Sequence, residues 1–232
     1  MVSPLEKARR APDSVKAKIL KKARRLFGEY GFHGTTTRMI AQAAGIDIST
    51  LHYHWGDKAD LFQSVILDIT EDLRRKLRDV EKVIHGRPLA ERMEIAIDMV
   101  TDHLFKCPEI ANLILFRYFR KTRPEAILDV QVPEFILDIA RSMNLSPDVQ
   151  EVPTLERMKV LAMMNAIFNF ISGENFFRPM LKLRRGAYIE EVKKTLKFML
   201  IPAFIGADNT SEALPQTDEA IARDGCSPPS GA

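Results

Sequence analysis

The amino-acid sequence predicts an all-α protein, and three observations support this fold class. Apolar residues recur at helical spacing over long segments, and prolines and glycines separate these segments. No segment alternates apolar and polar residues as a strand does. We therefore expect an N-terminal three-helix domain over residues 13–56 and a larger helical domain over residues 57–205, with a flexible arm at 1–12 and a disordered tail at 206–232.

The composition is that of a chain able to bury a core, since 46% of its 232 residues are hydrophobic. No run of about 18 uncharged apolar residues occurs, and the N-terminus lacks the apolar run of a signal peptide. We expect a cytoplasmic protein without a membrane span. Cys107 and Cys226 make neither a disulfide framework nor a metal site.

The charge of the chain is divided unevenly. Residues 1–58 hold 11 Lys and Arg against 5 Asp and Glu, a net charge of +6, whereas residues 59–232 hold 23 against 26, a net charge of −3. A basic N-terminal quarter favours a polyanionic partner, although each basic residue could also belong to a solvated helix face.

The first predicted helix begins at Asp13 or Ser14, either of which is a good N-cap, and ends at Gly31. Residues 35–61 then read as a short helix, a turn carrying Gly45, a second short helix capped by Asp47, and the start of a long helix. This is the pattern of a helix-turn-helix unit, which places its second helix in the DNA major groove.

The remaining segments also have helical periodicity, punctuated by prolines. We expect a long connecting helix, three helices in the middle of the chain, a helix that is apolar nearly all round at 160–171 and ends at Arg178-Pro179, and a last helix with one apolar stripe. The expected ranges are 57–83, 88–106, 108–122, 125–143 with a kink at Pro133, 154–177, and 187–205 with Ile189, Val192, Leu196 and Met199 on its stripe.

A set of residues between Gly31 and Leu61 occurs in an order that resembles the N-terminal signature of the TetR family of bacterial transcriptional regulators. The matching positions are Gly31, Phe32, Thr35, Thr36, Ile40, Ala41, Ala44, Gly45, Thr50, Leu51, His54, Trp55, Lys58 and Leu61. The resemblance covers the first quarter of the chain. It implies a homodimer with a four-helix interface made by the last two helices of each subunit, and a pocket for a small effector enclosed by the middle helices.

The resemblance also implies three phosphate contacts. Thr37 either contacts phosphate or serves as an ordinary cap. Lys58 opposes the helix dipole in a first turn, which favours a bound anion. His52 stands where the family usually has Tyr, so its contact would be sensitive to pH. His52 and His54 point about 200 degrees apart on a helix, so we expect no metal there.

Base readout is expected from the exposed face of the second short helix, at Ile48, Ser49, Thr50 and Tyr53. Ile48 is equally consistent with a local core contact. Because few of these side chains can bind a base in bidentate fashion, Arg38 and Gln42 on the preceding helix, or DNA shape, should contribute.

The composition of the middle helices favours an apolar ligand pocket with a few polar groups, although core packing is the default for such residues. The candidate residues are His103, Phe105, Asn112, Phe116, Phe119, Met163, Met164, Asn165, Phe168 and Asn169. Asn165 and Asn169 lie in an apolar segment, so their amides need partners across a dimer, from a ligand or from water.

Together these patterns predict a homodimeric repressor that binds a (pseudo)palindromic double-stranded DNA operator and responds to a small apolar effector. The sequence holds no constellation typical of an enzyme and no cofactor motif. Two alternatives remain: a helical small-molecule-binding protein or enzyme without specific DNA binding, and a non-specific architectural DNA binder.

Overall fold

A computed structural model describes residues 3–118, 131–143, 145 and 152–206 of the chain. The described residues form eleven helices and no strand, which confirms the all-α prediction. In chain order these are α1 (Pro4–Arg10), α2 (Val15–Gly34), α3 (Thr37–Ala44), α4 (Ile48–Trp55), α5 (Lys58–Ile84), α6 (Leu89–Lys106), α7 (Glu109–Tyr118), α8 (Gln131–Ser142), α9 (Thr154–Ser172), α10 (Glu174–Met180) and α11 (Arg185–Ile205). Among them, no helix has the length and apolar character needed to cross a membrane.

Helices α2, α3 and α4 form a three-helix unit that packs against the start of α5. Ile19 and Phe27 of α2 are fully buried in it. The helical backbone of α2 is interrupted at Gly31, which has a φ of 68° and a ψ of 178°, so the predicted break is confirmed. Phe27 also meets the Phe62 ring of α5, with 5.0 Å between ring centroids, so this unit shares its core with α5.

The flexible arm predicted for residues 1–12 is wrong for residues 4–10, which form α1. Ser3 and Glu6 cap this helix reciprocally, each side chain accepting a hydrogen bond from the other's backbone N–H. Leu5 and Ala8 are buried against the core. Arg9 donates to the Asp68 carboxylate of α5 at 2.9 Å. Apolar contacts and an ion pair therefore both hold α1 against the rest of the fold.

Helix α5 connects the N-terminal unit to the remainder of the protein. Asp57 is its N-cap and makes a capping box with Asp60. The helix contacts α2 and α4 at its start and α6 and α7 further along. A single helix of 27 residues therefore touches both regions.

The C-terminal helices pack as layers around α9, which contacts α6, α7, α8, α10 and α11. The helix predicted to run to residue 177 ends at Ser172, because Gly173 interrupts it, and Pro179 lies inside α10 rather than ending a helix. On α11, Val192 and Leu196 are buried as predicted, but Met199 is 54% exposed. Residues 119–130, with the candidate Phe119, and the predicted tail from residue 207 lie outside the described residues.

Candidate functional site

The helix-turn-helix is fixed by caps at each of its helix ends. Thr36 caps α3 by accepting a hydrogen bond from the Met39 N–H at 3.2 Å. Gly45 ends α3 in the left-handed conformation, with a φ of 70° that a side chain would strain. Asp47 then caps α4. The caps predicted at Gly45 and Asp47 are confirmed, and the threonine that caps α3 is Thr36.

The inner face of α4 is anchored to α2. Leu51 and Trp55 are buried, and the Trp55 Nε1–H donates to the Lys16 carbonyl at 3.2 Å. This bond satisfies the only polar atom of a large buried side chain. The opposite face of α4 is therefore held outward at a fixed angle.

The outward face of α4 carries most of the predicted base-reading residues. Tyr53 is 85% exposed and Ile48 is 37% exposed, so the local core contact considered for Ile48 is not formed. Ser49 and His52 are also exposed, whereas Thr50 is half-buried. Four candidate side chains thus lie on one accessible helix face.

Asp47 keeps a negative charge beside this face. Hydrogen bonds from the Ser49 hydroxyl and the Thr50 N–H, each 2.6 Å long, lower the pKa of Asp47 to about 2. The Ser49 proton is directed at Asp47, so the Ser49 oxygen remains as an acceptor toward any partner. Among the DNA bases, an acceptor suits the amino groups of adenine and cytosine.

On α3, Arg38 and Gln42 are exposed and stand one helical turn apart. Thr37 is half-buried in the first turn. The cap proposed as one role for Thr37 is wrong, since Thr36 makes that hydrogen bond, and the phosphate contact remains a prediction.

The ammonium of Lys58, at the start of α5, has hydrogen-bond partners within the protein. Its Nζ donates to the carbonyls of Phe32 and Thr35 at 3.0 and 3.1 Å and lies 4.2 Å from the Phe32 ring centroid. Asp57 and Asp60 supply negative charge at this helix end. The expectation that Lys58 requires an external anion is therefore wrong, and at most the third N–H of its ammonium is left for phosphate.

The imidazole of His52 is held by its own helix end. Its Nδ1 lies 2.8 Å from the Gly56 carbonyl oxygen, which can only accept, so Nδ1 carries a proton. In the neutral ring Nε2 is then an acceptor. In this tautomer Nε2 has no proton to donate to a phosphate, and the phosphate contact of His52 remains a prediction.

The basic residues of α2 are of two kinds, some exposed to solvent and one paired with carboxylates inside the fold. Lys18, Lys21, Lys22 and Arg25 are exposed. Arg24 is instead an internal residue that pairs with Asp68, Asp72 and Glu109 at 2.8 to 3.0 Å. Burial would lower the pKa of Arg24, but attraction to these carboxylates, Asp68 foremost, raises it above its ordinary value.

A cavity of about 620 Å³ lies between α5, α6, α8 and α9. Its volume is within the usual range for small-molecule sites. Sixteen of its 23 lining residues are apolar, among them Leu77 of α5, Ile97 of α6, Phe135 of α8 and Phe168 of α9. The middle helices therefore enclose a space suited to an apolar molecule or chain.

Three of the candidate ligand residues line this cavity, namely Met163, Met164 and Phe168. The other candidates among the described residues do not line it. Phe105 is buried in an edge contact with Tyr188, with 6.0 Å between ring centroids, and Phe116 is exposed. Asn112 donates to the Gly28 carbonyl at 3.0 Å and ties α7 to α2.

Asn165, Asn169 and His103 also lie outside the cavity wall. Asn165 donates to the Leu161 carbonyl and Asn169 donates to the Asn165 carbonyl. Each side-chain amide therefore has a hydrogen-bond partner within α9, whereas we expected partners across a dimer, from a ligand or from water. His103 points toward Asp72, with 4.0 Å between Nε2 and Oδ2.

Sequence reasoning missed the charged side chains of the cavity. Arg74, Arg78 and Glu81 of α5 and Arg92 of α6 line it. The available signal was the run of Leu89, Arg92, Met93, Ala96, Ile97 and Val100, which places one arginine on an otherwise apolar helix face.

Asp72, His103 and Cys107 bring three possible metal-ligating atoms within 4.8 Å of one another. These residue types are ligands of zinc in other proteins. The guanidinium of Arg24, however, lies 3.0 Å from Asp72 Oδ2 and would repel a divalent cation. We therefore assign no metal to this group.

A helix-turn-helix with an exposed second helix, joined by one long helix to a region that encloses a cavity, defines a DNA-binding transcriptional regulator. The family model for "Bacterial regulatory proteins, tetR family" matches residues 19–65. The repressor Rv1474c of Mycobacterium tuberculosis is 30% identical over 135 residues, which cover 51% of this chain and 72% of that protein. The regulator UidR of Escherichia coli is 27% identical over 146 residues, 60% of this chain and 73% of that protein.

The fold is also shared with a protein of known structure. A crystal structure of AibR, in complex with isovaleryl coenzyme A and operator DNA, is similar with a TM-score of 0.60 and 17% sequence identity, covering 82% of this chain and 99% of that chain. The chain belongs to the TetR family of bacterial transcriptional regulators. UidR and Rv1474c are both transcriptional regulators with a helix-turn-helix.

Proposed function

We propose that the protein is a repressor that binds a (pseudo)palindromic operator as a homodimer and changes its DNA affinity when a small effector occupies the cavity. The observation that carries this proposal is the outward face of α4, where Tyr53 is 85% exposed on a helix whose inner face is fixed by Leu51 and Trp55. A helix held in this way presents its exposed side chains to a DNA groove in a fixed orientation.

The side chains of α3 and α4 divide the recognition of DNA between them. Arg38 and Gln42 have the geometry to bind guanine and adenine edges, respectively, in bidentate fashion. Tyr53 can donate to a phosphate or a base edge, and Ile48 offers an apolar contact to a thymine methyl group. Thr37 offers phosphate contacts from the first turn of α3.

Exposed apolar residues on α9 and α11 support dimerisation. The two helices pack against each other, and Leu155 and Met158 of α9 and Phe198 and Ile205 of α11 are all exposed. Phe198 is 81% exposed. An isologous interface would bury these side chains in both subunits and would place two copies of α4 on successive half-sites.

Helix α5 supports coupling between the effector and DNA. Only two residues separate it from α4, and its residues from Glu71 to Ile84 contribute to the cavity wall. An effector that binds differently to two arrangements of α5 and α6 changes the separation of the two recognition helices. AibR, which shares the fold, was crystallised with both a small molecule and operator DNA.

The test is selection of bound duplexes from a random DNA pool, followed by titration of the selected duplex in a mobility-shift assay. We expect Arg38→Ala and Tyr53→Ala each to weaken binding roughly tenfold. Lys82→Ala removes an exposed lysine near the far end of α5 and serves as the control with unchanged affinity.

The alternatives predict different results from the same experiment. A non-specific architectural binder would show little preference for the selected duplex over random DNA. A small-molecule-binding protein without DNA function would select no sequence, and either outcome would contradict the proposal.

A further inference from the structure

The guanidinium of Arg92 is the unexplained feature of the cavity. Arg92 lines the cavity from the first turns of α6, and its Nε is buried without a hydrogen-bond partner. A buried polar group without a partner is costly, and native proteins satisfy nearly all of them. A group that binds in this cavity and accepts hydrogen bonds would remove that cost.

The other charged side chains of the cavity wall have partners within the fold. Arg78 pairs with Glu71, Glu81 accepts a hydrogen bond from Ser142, Asp138 pairs with Arg141, and Arg74 lies over the Phe135 ring. Among the described residues that line the cavity, Arg92 is the cation for which no such partner is found. A ligand anion could therefore bind the Arg92 guanidinium without displacing a partner that the fold already supplies.

The remainder of the cavity is long and mostly apolar. On α5 its wall extends from Glu71 to Ile84, which at the rise of a helix is roughly 20 Å. On α6 it extends from Leu89 to Val100, roughly 17 Å, with Arg92 one turn from the start. The cation therefore lies near one end of an elongated apolar space.

We propose that this cavity binds a linear aliphatic carboxylate, with the carboxylate on the guanidinium of Arg92 and the chain directed toward Val100. Arginine offers a planar pair of donors that matches a carboxylate in bidentate fashion. The inference rests on the proposed function in taking this cavity as the effector site. It specifies the small apolar effector expected from sequence as one that carries a carboxylate, since an effector without an acceptor would leave Arg92 unpaired.

The test is calorimetric titration of the full-length protein with linear carboxylates from octanoate to hexadecanoate, kept below their micellar concentrations, and with the primary alcohols of the same chain lengths. We expect a carboxylate to bind about tenfold to a hundredfold more tightly than its alcohol. Arg92→Gln should abolish that difference and leave alcohol binding unchanged. Arg87→Gln, which removes an exposed arginine outside the cavity wall, should behave like the wild type.

The thermal stability of the same variant separates a binding role from a structural one. Because Arg92 is unpaired, Arg92→Gln should melt at or above the wild-type temperature without ligand but lose the rise in melting temperature that the carboxylate causes. If Arg92→Gln lowers the melting temperature and Arg92→Lys restores it, Arg92 is structural and the proposal is wrong. Equal affinity for acid and alcohol, or tighter binding of an acyl coenzyme A thioester than of the free acid, would also overturn it.

The DNA assay is run separately, so the two proposals can fail independently. Carboxylate binding that depends on Arg92 but leaves operator affinity unchanged would support the ligand class and contradict effector control. Specific operator binding by a protein that binds none of the carboxylates would support the proposed operator binding and contradict the proposed ligand class.

Discussion

Lys58 shows how a residue of a DNA-binding signature can stabilise the domain that carries it. Its ammonium joins the loop around Phe32 and Thr35 to the first turn of α5 through two hydrogen bonds to carbonyls. The ammonium also rests on the Phe32 ring. A loss of DNA binding in a Lys58 variant would therefore not by itself identify a phosphate contact.

We predict that Lys58→Met lowers the free energy of unfolding by about 1–3 kcal/mol, because two carbonyls lose a charged donor. Denaturant unfolding of the protein without DNA measures this change. Lys82→Met, at a lysine exposed to solvent, should change stability little. Unchanged stability with weakened operator binding would instead support the phosphate role that the sequence indicated.

His103 gives the protein a predictable response to acid. Burial lowers the pKa of His103 below its ordinary value of 6.5, and the nearby Asp72 only partly opposes that shift. The depressed pKa means that the unfolded chain binds a proton more readily than the native protein below pH 6.5. Stability from this residue is thus fully present above pH 6.5 and is lost as the pH falls through the lowered pKa.

We predict that the denaturation midpoint falls more steeply between pH 7.5 and 5.5 for the wild type than for His103→Asn. Parallel pH profiles for the two proteins would show that burial of this imidazole does not contribute. His85→Asn removes an exposed imidazole from the end of α5 and is the matched control.

At the scale of elements, the sequence predicted those features that depend on short-range chemistry. The cap at Asp47, the left-handed Gly45 and the inward Leu51 and Trp55 each follow from residues a few positions apart. Helix α1 was missed although Ser3 and Glu6 have capping-box spacing, because a helix of 7 residues is stable only through tertiary contacts.

The cavity could not be located from sequence for a similar reason. The apolar stripes of α5 and α6 look the same whether they face a neighbouring helix or a cavity, and the spacing of the helices decides which. Met163, Met164 and Phe168 were found because α9 is apolar on several faces, whereas Arg92 was hidden in a pattern that resembles an ordinary amphipathic helix.

Three helices meet at Arg24, which connects α2 to Asp68 and Asp72 of α5 and to Glu109 of α7. The Arg24 side chain is only 15% exposed, and the three carboxylates are similarly shielded. Removing the arginine would leave three nearly buried negative charges that repel one another. The network therefore holds the DNA-binding unit against the C-terminal helices.

We predict that Arg24→Ala destabilises the protein by about 3–5 kcal/mol, the usual cost of removing one partner from a buried ion pair. Arg25→Ala, at the adjacent exposed position, should change stability by less than about 0.5 kcal/mol. Urea unfolding of both variants tests the difference. Equal effects of the two substitutions would show that the network contributes no more than surface charge.

For the whole molecule, the relation between dimerisation and DNA binding follows from symmetry. A subunit presents one α4, so a palindromic operator is read in full only by two subunits related by a two-fold axis. The proposed interface lies on α9 and α11, far along the chain from α4. A substitution there can weaken DNA binding without touching a residue of the recognition surface.

We predict that Phe198→Glu converts the proposed dimer to a monomer, because a charge would replace the most exposed apolar side chain of α11 in the proposed interface. Sedimentation velocity should show dimerisation weakened by about 30-fold or more, and operator affinity should fall with it. Val83→Glu places the same charge at an exposed apolar position of α5 and should leave the dimer intact. Because the α4 surface is unchanged, a forced dimer of Phe198→Glu, made by fusing two copies through a flexible linker, should recover operator binding. Failure of that fusion to bind DNA would mean that the α9 and α11 face affects recognition by a route other than pairing the subunits.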